Sequence, residues 1–351
     1  MCLQILNGGN YMQKIIHSIA IDITNNCNFN CRHCFNCSGE ERIGLNEMDD
    51  EVILNIIKDV AQFSPSSLCI CGGEALLKTN FLYRIGKTVR QIYPDYVSLN
   101  MVTNGYLMTI EIAEKLKECG FSMVQVSLDG AKDETHNWLR KNDKAYEKAI
   151  NALKILHSVG IKTSVACAPS KRNFDEIENL IHICKSLNVS IIRFQPMMIM
   201  GRAINLKNEV LNEIEYAKLA KIVHKYQNDK QISVEWGDPL QHLEYIKQDS
   251  SKMYDLSISA YGDIMISPYL PISAGNLKKY KFSDYMNAGL EDAYNLPIVN
   301  KMISFMIDWD SMQLNNINPI FPRIGLDRYI NCDIIDIANN DTKIIKTILN
   351  L

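Results

Sequence analysis

The first two hundred residues of this 351-residue chain alternate short runs rich in β-branched and aromatic residues with longer segments of helical periodicity. Strands separated by helices cannot pair through a tight hairpin turn, so each connection crosses over and the strands are parallel. The runs are also nearly continuous in apolar residues, which indicates burial on both faces of a sheet. The candidate strands span residues 17–24, 67–71, 96–102, 122–127, 161–166 and 190–195.

Helical periodicity marks the segments between these strands, where apolar residues recur at intervals of three and four. Gly120 and Gly160 stand where two of the helices end and the next strands begin, a position that favours a left-handed residue. The repeated pattern predicts an α/β fold built on a parallel sheet or barrel. The candidate helices span residues 47–63, 109–119, 144–159 and 174–187.

Polar signatures follow four of the predicted strands. Three cysteines come after the first strand, Gly72-Gly73-Glu74 after the second, Thr103-Asn104-Gly105 after the third and Ser127-Leu128-Asp129-Gly130 after the fourth. Folds of parallel strands place their chemistry at the carboxyl ends of those strands. We therefore expect the four signatures to meet along one rim.

The βα alternation stops near residue 205. Apolar and polar residues then alternate around the Gly262-Asp263 turn, which predicts a β-hairpin. We expect residues 1–16 to form an N-terminal extension, residues 17–205 an α/β core and residues 206–351 a smaller α+β domain. Within that domain the sequence predicts helices over 209–227 and 297–306, a strand over 232–236, the hairpin over 256–267 and a loop over 315–323.

Cys27, Cys31 and Cys34 have CxxxCxxC spacing within one short segment. Three thiolates of one loop can bind three irons of a four-iron cluster and leave the fourth iron without a protein ligand. A zinc site requires four ligands, which Cys37 or His33 would have to complete. Unliganded thiols are the third interpretation that the spacing leaves open, and Cys37 is then an accessory loop cysteine.

Composition excludes several classes of protein. Thirty-seven basic and forty acidic residues give a net charge of −3, with no long basic run, so no electrostatic case exists for nucleic acid. No signal peptide or membrane-spanning segment is evident, which predicts a cytoplasmic protein without a membrane partner. Eleven cysteines, ten of them before residue 185, do not suit a closed disulfide framework and favour a reducing compartment.

In combination, CxxxCxxC after the first strand, Gly-Gly-Glu after the second and Ser-Leu-Asp-Gly after the fourth resemble the radical SAM superfamily over residues 17–205. The resemblance implies a partial (β/α)6 TIM barrel. It also implies one 4Fe–4S cluster bound by Cys27, Cys31 and Cys34, with S-adenosyl-L-methionine on its open iron. Reductive cleavage of that cofactor would give a 5′-deoxyadenosyl radical, which abstracts hydrogen from a substrate carbon.

The same resemblance implies roles for further residues in cofactor binding. Gly72 and Gly73 would let the backbone approach the methionine amino group, because no Cβ intervenes, and Glu74 would support them. Ser127 would contact a ribose hydroxyl or the methionine carboxylate, and Arg140 would pair with that carboxylate. His33 stands where the family commonly contacts adenine. The alternatives are a loop histidine packed beside the cluster for His33 and a solvated helix arginine for Arg140.

The second half resembles the SPASM branch of the superfamily, many of whose members modify peptides or proteins. The resemblance rests on residues 191–196, Gly201-Arg202-Ala203, the hairpin and Gly275-Asn276-Leu277. That branch normally carries auxiliary clusters in a SPASM or twitch domain, with a cysteine where Ser267 stands here. No cysteine occurs between Cys184 and Cys332, so we expect a SPASM-like domain that binds substrate without a cysteine-ligated cluster.

These observations predict a radical SAM enzyme that modifies a ribosomally made peptide or a protein side chain, by epimerisation or cross-linking for example. The alternatives are a radical SAM enzyme for a small metabolite, such as a sugar, a tetrapyrrole or a cofactor precursor, and a non-catalytic metal-binding module. A flavodoxin or ferredoxin is the expected reductant. Cys332 is a candidate hydrogen donor or else a buried structural cysteine, whereas Cys69 and Cys71 are predicted to be small buried hydrophobes.

Overall fold

The computed structural model describes residues 16–41, 44–93, 97–248, 251–306, 308–317 and 330–338, without the side chains of 314–317. In this part of the chain all strands join one sheet, in the order β11-β10-β9-β8-β1-β2-β3-β4-β5-β6-β7. The strands are β1 Ser18–Asp22, β2 Ser67–Cys71, β3 Ser98–Thr103, β4 Met123–Ser127, β5 Lys162–Cys167, β6 Ile191–Phe194, β7 Ser233–Trp236, β8 Asp255–Ile258, β9 Asp263–Ser267, β10 Leu270–Asn276 and β11 Ile330–Asn331.

Helices connect most of the strands. Short 3₁₀ segments cover Ala61–Phe63, Ala75–Lys78, Phe174–Glu176, Gly201–Glu209 and Leu290–Asn295. None of the helices within the described ranges is both long and apolar enough to cross a membrane. The α-helices are α1 Asp50–Val60, α2 Thr79–Ile92, α3 Ile110–Glu118, α4 Asp133–Arg140, α5 Ala145–Ser158, α6 Ile177–Ser186, α7 Glu213–Lys225, α8 Pro239–Ile246, α9 Phe282–Asn287, α10 Pro297–Ile303, α11 Trp309–Ile317 and α12 Ile334–Ala338.

The predicted α/β architecture with a parallel sheet is confirmed. Strands β1 to β7 pair in parallel with their neighbours in chain order, from β1 with β2 to β6 with β7. Each of the six predicted strands coincides with one of β1 to β6 to within a few residues. Helices α2 and α4 form in segments for which the sequence analysis predicted no helix.

Amphipathic helices cover the outer face of this sheet. In α1 the buried residues Ile53, Ile57 and Val60 recur at the spacing of one helical face, and all three belong to the main hydrophobic core. The side chain of Thr109 caps α3 by accepting a hydrogen bond from the Ile112 N–H. Local sequence therefore places the helices, and the buried strand residues between them complete the core.

The second half of the chain extends the same sheet in both directions. Strand β7 lies parallel to β6, whereas β8 lies parallel to β1 and begins the antiparallel order β8-β9-β10. The predicted hairpin is therefore present as β8 and β9, and its first strand flanks the strand that precedes the cysteine segment. The expected loop over 315–323 is wrong for residues 315–317, which end α11, and its remainder lies outside the described residues.

Candidate active site

A cavity of about 440 Å³ opens at the carboxyl ends of the parallel strands. All four polar signatures of the sequence reach it, through Cys27, Gly73, Asn104 and Asp129 among others. The strand order explains this convergence, because successive parallel strands end at the same edge of the sheet. The strands themselves contribute Ala20, Asp22, Cys71, Ser127, Ala166 and Ser257 to the lining.

Residues 23–40, which follow β1, are called the cysteine loop here. The three cysteines of its CxxxCxxC segment line the cavity. Each sulfur accepts a hydrogen bond. The Phe29 N–H donates to Cys27 Sγ over 3.4 Å, the Ser38 N–H donates to Cys34 Sγ over 3.4 Å, and Arg140 Nη1 lies 3.9 Å from Cys31 Sγ. Such donors stabilise thiolates, the form in which cysteine binds metal.

The chemistry of the donors in the cysteine loop fits a cluster. Three thiolates can each bind a different iron of a four-iron cluster, whereas a tetrahedral zinc site needs a fourth ligand. Burial raises the pKa of the Cys27 thiol to about 12, so a metal that binds there displaces a proton.

Arg202 holds the cysteine loop from the side of β6. Its Nε donates to the Cys31 carbonyl over 2.8 Å, Nη1 and Nη2 each donate to the Ser38 carbonyl over 3.1 Å, and its backbone N–H donates to the Cys34 carbonyl over 3.0 Å. Gly201 permits this contact because its φ is +54° and a Cβ there would lie 2.2 Å from the Phe35 carbonyl oxygen. From the sequence, this dipeptide was recognisable only as part of the resemblance to the SPASM branch.

Gly72 and Gly73 let the loop after β2 pack directly against the backbone that follows β1. A Cβ on Gly73 would lie 2.2 Å from the Asn26 carbonyl oxygen, and one on Gly72 would lie 2.5 Å from the Thr24 carbonyl oxygen. The Gly73 N–H donates to that Thr24 oxygen over 2.7 Å. Both glycines line the cavity, but the backbone they approach in the structure is that of the cysteine loop.

Glu74 lies behind the cavity wall and outside its lining. The buried carboxylate accepts hydrogen bonds from the Thr103 hydroxyl over 2.7 Å, the Asn104 N–H over 2.8 Å and the Leu76 N–H over 3.0 Å. The Asn104 side chain in turn donates to Asn28 Oδ1 over 2.8 Å. The structure thus places Glu74 where it joins the loops after β2 and β3 and, through Asn104, the cysteine loop.

Arg140 and Asp129 form a buried ion pair on the wall of the cavity. Arg140 Nε donates to Asp129 Oδ2 over 2.6 Å, and His33 Nε2 lies 3.5 Å from the same oxygen. Burial opposes ionisation of Asp129, yet the charge of Arg140 holds the pKa of that carboxyl far below its usual range. Burial lowers the pKa of His33 to about 4, so its ring is neutral. The pair keeps the guanidinium charged and oriented beside Cys31.

Methionines are frequent on the side of the cavity formed by the second half of the chain and the loop after β6. Tyr269 contributes to this side and accepts a hydrogen bond from Gln195 Nε2 over 2.9 Å. Trp236 and Tyr261, two other aromatic residues of the second half, are not among the lining residues. The apolar members are Pro196, Met197, Met198, Met200, Ile258, Met265 and Pro268.

Cys332 and Cys71, both discussed from the sequence, lie in different surroundings. Cys332 is fully buried beside β10, where its N–H donates to the Ser273 carbonyl over 2.8 Å, and it is not among the residues that line the cavity. Cys71, predicted to be a buried hydrophobe, lines the cavity with the cysteine loop. Sequence alternation had placed Cys71 and Cys69 on one face of β2 but had not shown that this face looks into a cavity.

Residues 21–184 match the family model described as the radical SAM superfamily. The chain is 24% identical to the AdoMet-dependent heme synthase of Methanosarcina barkeri over 290 residues, which cover 76% of this chain and 80% of that protein. It is 25% identical to the sporulation killing factor maturation protein SkfB of Bacillus subtilis over 246 residues, covering 70% of this chain. The match spans only 56% of the length of SkfB.

A solved structure with the same fold is that of Streptococcus suis SuiB. With S-adenosylmethionine bound, SuiB superposes with a TM-score of 0.63 at 16% sequence identity, covering 83% of this chain and 68% of SuiB. With its precursor peptide SuiA bound, the TM-score is 0.61 at 15% identity. At this level of identity the likeness shows a common fold.

Proposed function

We propose that this chain, whose residues 21–184 match the radical SAM model, cleaves S-adenosyl-L-methionine reductively at one 4Fe–4S cluster held by Cys27, Cys31 and Cys34. The substrate would be a ribosomally made peptide or a protein side chain. One observation carries the proposal: three cysteines with hydrogen-bonded sulfurs share a cavity of about 440 Å³ with the Arg140–Asp129 pair. When bound, the cluster and cofactor supply an electron and the sulfonium whose cleavage yields a 5′-deoxyadenosyl radical.

The cysteine loop would hold the cluster through thiolates that the protein stabilises. The N–H groups of Phe29 and Ser38 point at two of the sulfurs, and Arg140 lies beside the third. Arg202 adds a second guanidinium next to the loop. Hydrogen bonds and positive charge of this kind favour the anionic ligand set and raise the potential at which a cluster accepts an electron.

The cofactor would lie between the cysteine loop and the ends of β2 and β4. Gly72, Gly73, Ser127 and His33 line the cavity, and burial lowers the pKa of His33 to about 4. A guanidinium carries five N–H donors, so Arg140 can serve a carboxylate while its Nε bonds Asp129. Glu74 would support the two glycine-containing loops from behind.

The methionines of the cavity wall support a peptide substrate. Methionine side chains adapt to irregular and variable partners, and Met197, Met198, Met200 and Met265 line the cavity. SkfB is named as a maturation protein for the sporulation killing factor, and SuiB has been solved with its precursor peptide. Both likenesses support a peptide substrate for this chain.

The second half of the chain would bind the substrate without a second cluster. Ser267, at the position where the SPASM resemblance expects a cysteine, lies with its Oγ 2.9 Å from His242 Nε2. Its neighbour Tyr269 lines the cavity. We propose that residues 206–351 are a SPASM-like substrate-binding region in which hydrogen bonds have replaced metal ligands.

A small metabolite is the second candidate substrate. The observation in its favour is the match to a heme synthase, which covers 80% of that enzyme and therefore reaches beyond the barrel strands. Such a substrate would occupy the same cavity. Mass spectrometry of candidate precursor peptides after anaerobic co-expression distinguishes the two: a change of mass or of stereochemistry supports a peptide, and unchanged precursors together with a modified tetrapyrrole support the metabolite.

Catalytic competence is tested without knowledge of the substrate. The protein is reconstituted anaerobically with iron and sulfide, reduced with dithionite or with a flavodoxin or ferredoxin, and supplied with S-adenosyl-L-methionine. We expect 5′-deoxyadenosine and methionine from the native chain and neither from a Cys27→Ala, Cys31→Ala, Cys34→Ala variant. A native chain that binds one tetrahedral zinc and forms no 5′-deoxyadenosine would instead be a metal-binding module.

A further inference from the structure

Two thiols face each other inside the barrel, apart from the cysteine loop. Cys69 and Cys71 occupy alternate positions of β2 and therefore project from the same face of the strand. Their sulfurs are 3.5 Å apart, within hydrogen-bonding distance for sulfur. Cys71 lines the same cavity as Cys27, Cys31 and Cys34.

The position of the pair is fixed by the parallel register of the sheet. Cys71 pairs with Asp22 of β1 and Cys69 with Ala20, and both β1 residues also line the cavity. The apolar residues Leu68 and Ile70 point to the opposite face and are fully buried in the core. Consequently, β2 directs its apolar side chains outward to the helices and its two thiols into the barrel.

The two thiols are not equivalent. The hydrogen bond between them lowers the pKa of Cys69, whereas the same bond and burial raise the pKa of Cys71. Either sulfur can donate in this contact, so hydrogen can pass between the two thiols. Burial keeps the Cys71 thiol, which lines the cavity, in its protonated form.

We propose that Cys71 is the hydrogen-atom donor of the reaction and that Cys69 restores it. The inference rests on the proposed function and deepens it: the substrate is a molecule whose carbon loses a hydrogen atom and receives one back, without net oxidation. An S–H bond is weaker than the C–H bond of an unactivated carbon and comparable to that of a peptide α-carbon, so sulfur can return a hydrogen atom to either carbon radical. Inversion of a stereocentre is the simplest outcome of this kind.

Two hydrogen-atom transfers connect the substrate radical to Cys71 and then to Cys69. The 5′-deoxyadenosyl radical takes a hydrogen atom from the substrate, and the substrate radical takes one from Cys71, which breaks the S–H bond and leaves a thiyl radical. That radical takes a hydrogen atom from Cys69 across the 3.5 Å contact. One electron from a flavodoxin or ferredoxin and one proton from solvent then return the Cys69 thiyl to a thiol. Each turnover uses one S-adenosyl-L-methionine, two electrons and one proton.

The sequence had suggested Cys332 for this role. Cys332 is fully buried beside β10 and is not among the lining residues, so its hydrogen cannot reach a substrate in the cavity. The other cysteines outside the cysteine loop include Cys119, which lies at the end of α3 and away from the lining. Cys119→Ser is therefore a matched control for a thiol-to-hydroxyl substitution.

Deuterium transfer tests the donor without an identified substrate. The reconstituted full-length enzyme is equilibrated in deuterated water, freed of small thiols and given dithionite and S-adenosyl-L-methionine alone. Without a substrate, the 5′-deoxyadenosyl radical takes its hydrogen from the nearest donor, so we expect monodeuterated 5′-deoxyadenosine from the native enzyme. The deuterated fraction of the product should be lost in Cys71→Ser and retained in Cys119→Ser.

Alkylation provides a second measurement that does not depend on the variants. Iodoacetamide at alkaline pH should label Cys71 of the native holoenzyme slowly, because its raised pKa leaves little thiolate, and S-adenosyl-L-methionine should slow the labelling further. Equal rates of labelling with and without S-adenosyl-L-methionine, or a deuterated fraction equal in native and Cys71→Ser enzymes, overturn the inference and leave the proposed function intact. A native enzyme that forms no 5′-deoxyadenosine at all overturns both.

Discussion

Arg202 Nε donates a hydrogen bond to the backbone carbonyl of Cys31 over 2.8 Å, from a position 171 residues further along the chain. The guanidinium also binds the Ser38 carbonyl twice, and it forms an ion pair with Glu40. One side chain after β6 therefore fixes the backbone on which the three cysteines are presented. Geometry of the cysteine loop depends on this residue as well as on the cysteines.

Replacing Arg202 by Met should weaken the cysteine loop without removing a ligand. The change leaves the carbonyls of Cys31 and Ser38 without their donor, at a cost of roughly 1–3 kcal/mol in the free energy of unfolding. We expect less iron and sulfide per chain after reconstitution and faster bleaching in air. Arg84→Met, which removes an exposed ion pair on the helices, is the control. Equal cluster content in both variants would contradict the assigned role.

Gly201→Ala should lower stability and iron content more than Gly289→Ala does. Both Gly201 and Gly289 have positive φ, so alanine at either costs about 1–2 kcal/mol of backbone strain. Only Gly201 has a neighbour in the way, since its Cβ would lie 2.2 Å from the Phe35 carbonyl oxygen, whereas nothing lies within 4 Å of a Cβ on Gly289. The midpoint temperature of thermal unfolding and the iron content per chain should both fall further in Gly201→Ala than in Gly289→Ala. Identical losses would mean that close packing at the cysteine loop is unimportant.

Asp129→Asn should reduce affinity for S-adenosyl-L-methionine. The substitution keeps the size of the side chain but removes the charge that pairs with Arg140, leaving a buried guanidinium beside Cys31 with no counter-ion. Loss of one partner of a buried charged pair costs about 2–5 kcal/mol, so binding should weaken by tens of fold or more. Equilibrium dialysis with the reconstituted protein measures this. Glu51→Gln, at an exposed ion pair, should bind as the native chain does.

His136 should make stability depend on pH. Its Nδ1 accepts a hydrogen bond from the Asp129 N–H over 2.9 Å, and burial lowers its pKa to about 3. The unfolded chain, in which the pKa is near 6.5, binds this proton more readily, so the stabilisation is complete above pH 6.5 and is lost progressively as the pH falls toward 3. Urea unfolding midpoints should decline less between pH 7 and pH 5 in His136→Asn than in the native chain. Exposed His157→Asn should decline as the native chain does.

The sequence predicts the barrel half of the fold well. The β-branched strands β1 to β6, the helical periodicity between them and the cysteine spacing are local patterns, so each is visible in one stretch of chain. The pairing of β8 with β1 is not visible, because contact between strands more than 200 residues apart leaves no local signal. Arg202 was missed for the same reason, since its partners lie in the cysteine loop.

Cys71 shows a different limit. Alternation along β2 tells which residues share a face, but a parallel strand is covered on both sides, and the sequence does not say which side is the filled core and which is the cavity. Cys332 was predicted to be either a hydrogen donor or a buried structural cysteine, and its burial beside β10 depends on how the second half of the chain folds back on the sheet. Residue chemistry was therefore easier to predict than residue location.

Formation of 5′-deoxyadenosine by the anaerobically reconstituted protein is the most direct test of the central claim, that the cysteine loop holds a cluster which cleaves S-adenosyl-L-methionine. Product is quantified by mass spectrometry after reduction with dithionite, in parallel with the variant lacking Cys27, Cys31 and Cys34. We predict four irons per native chain, 5′-deoxyadenosine from that chain and none from the variant. A native chain that binds four irons but forms no 5′-deoxyadenosine, or a variant that forms as much of it, would contradict the claim.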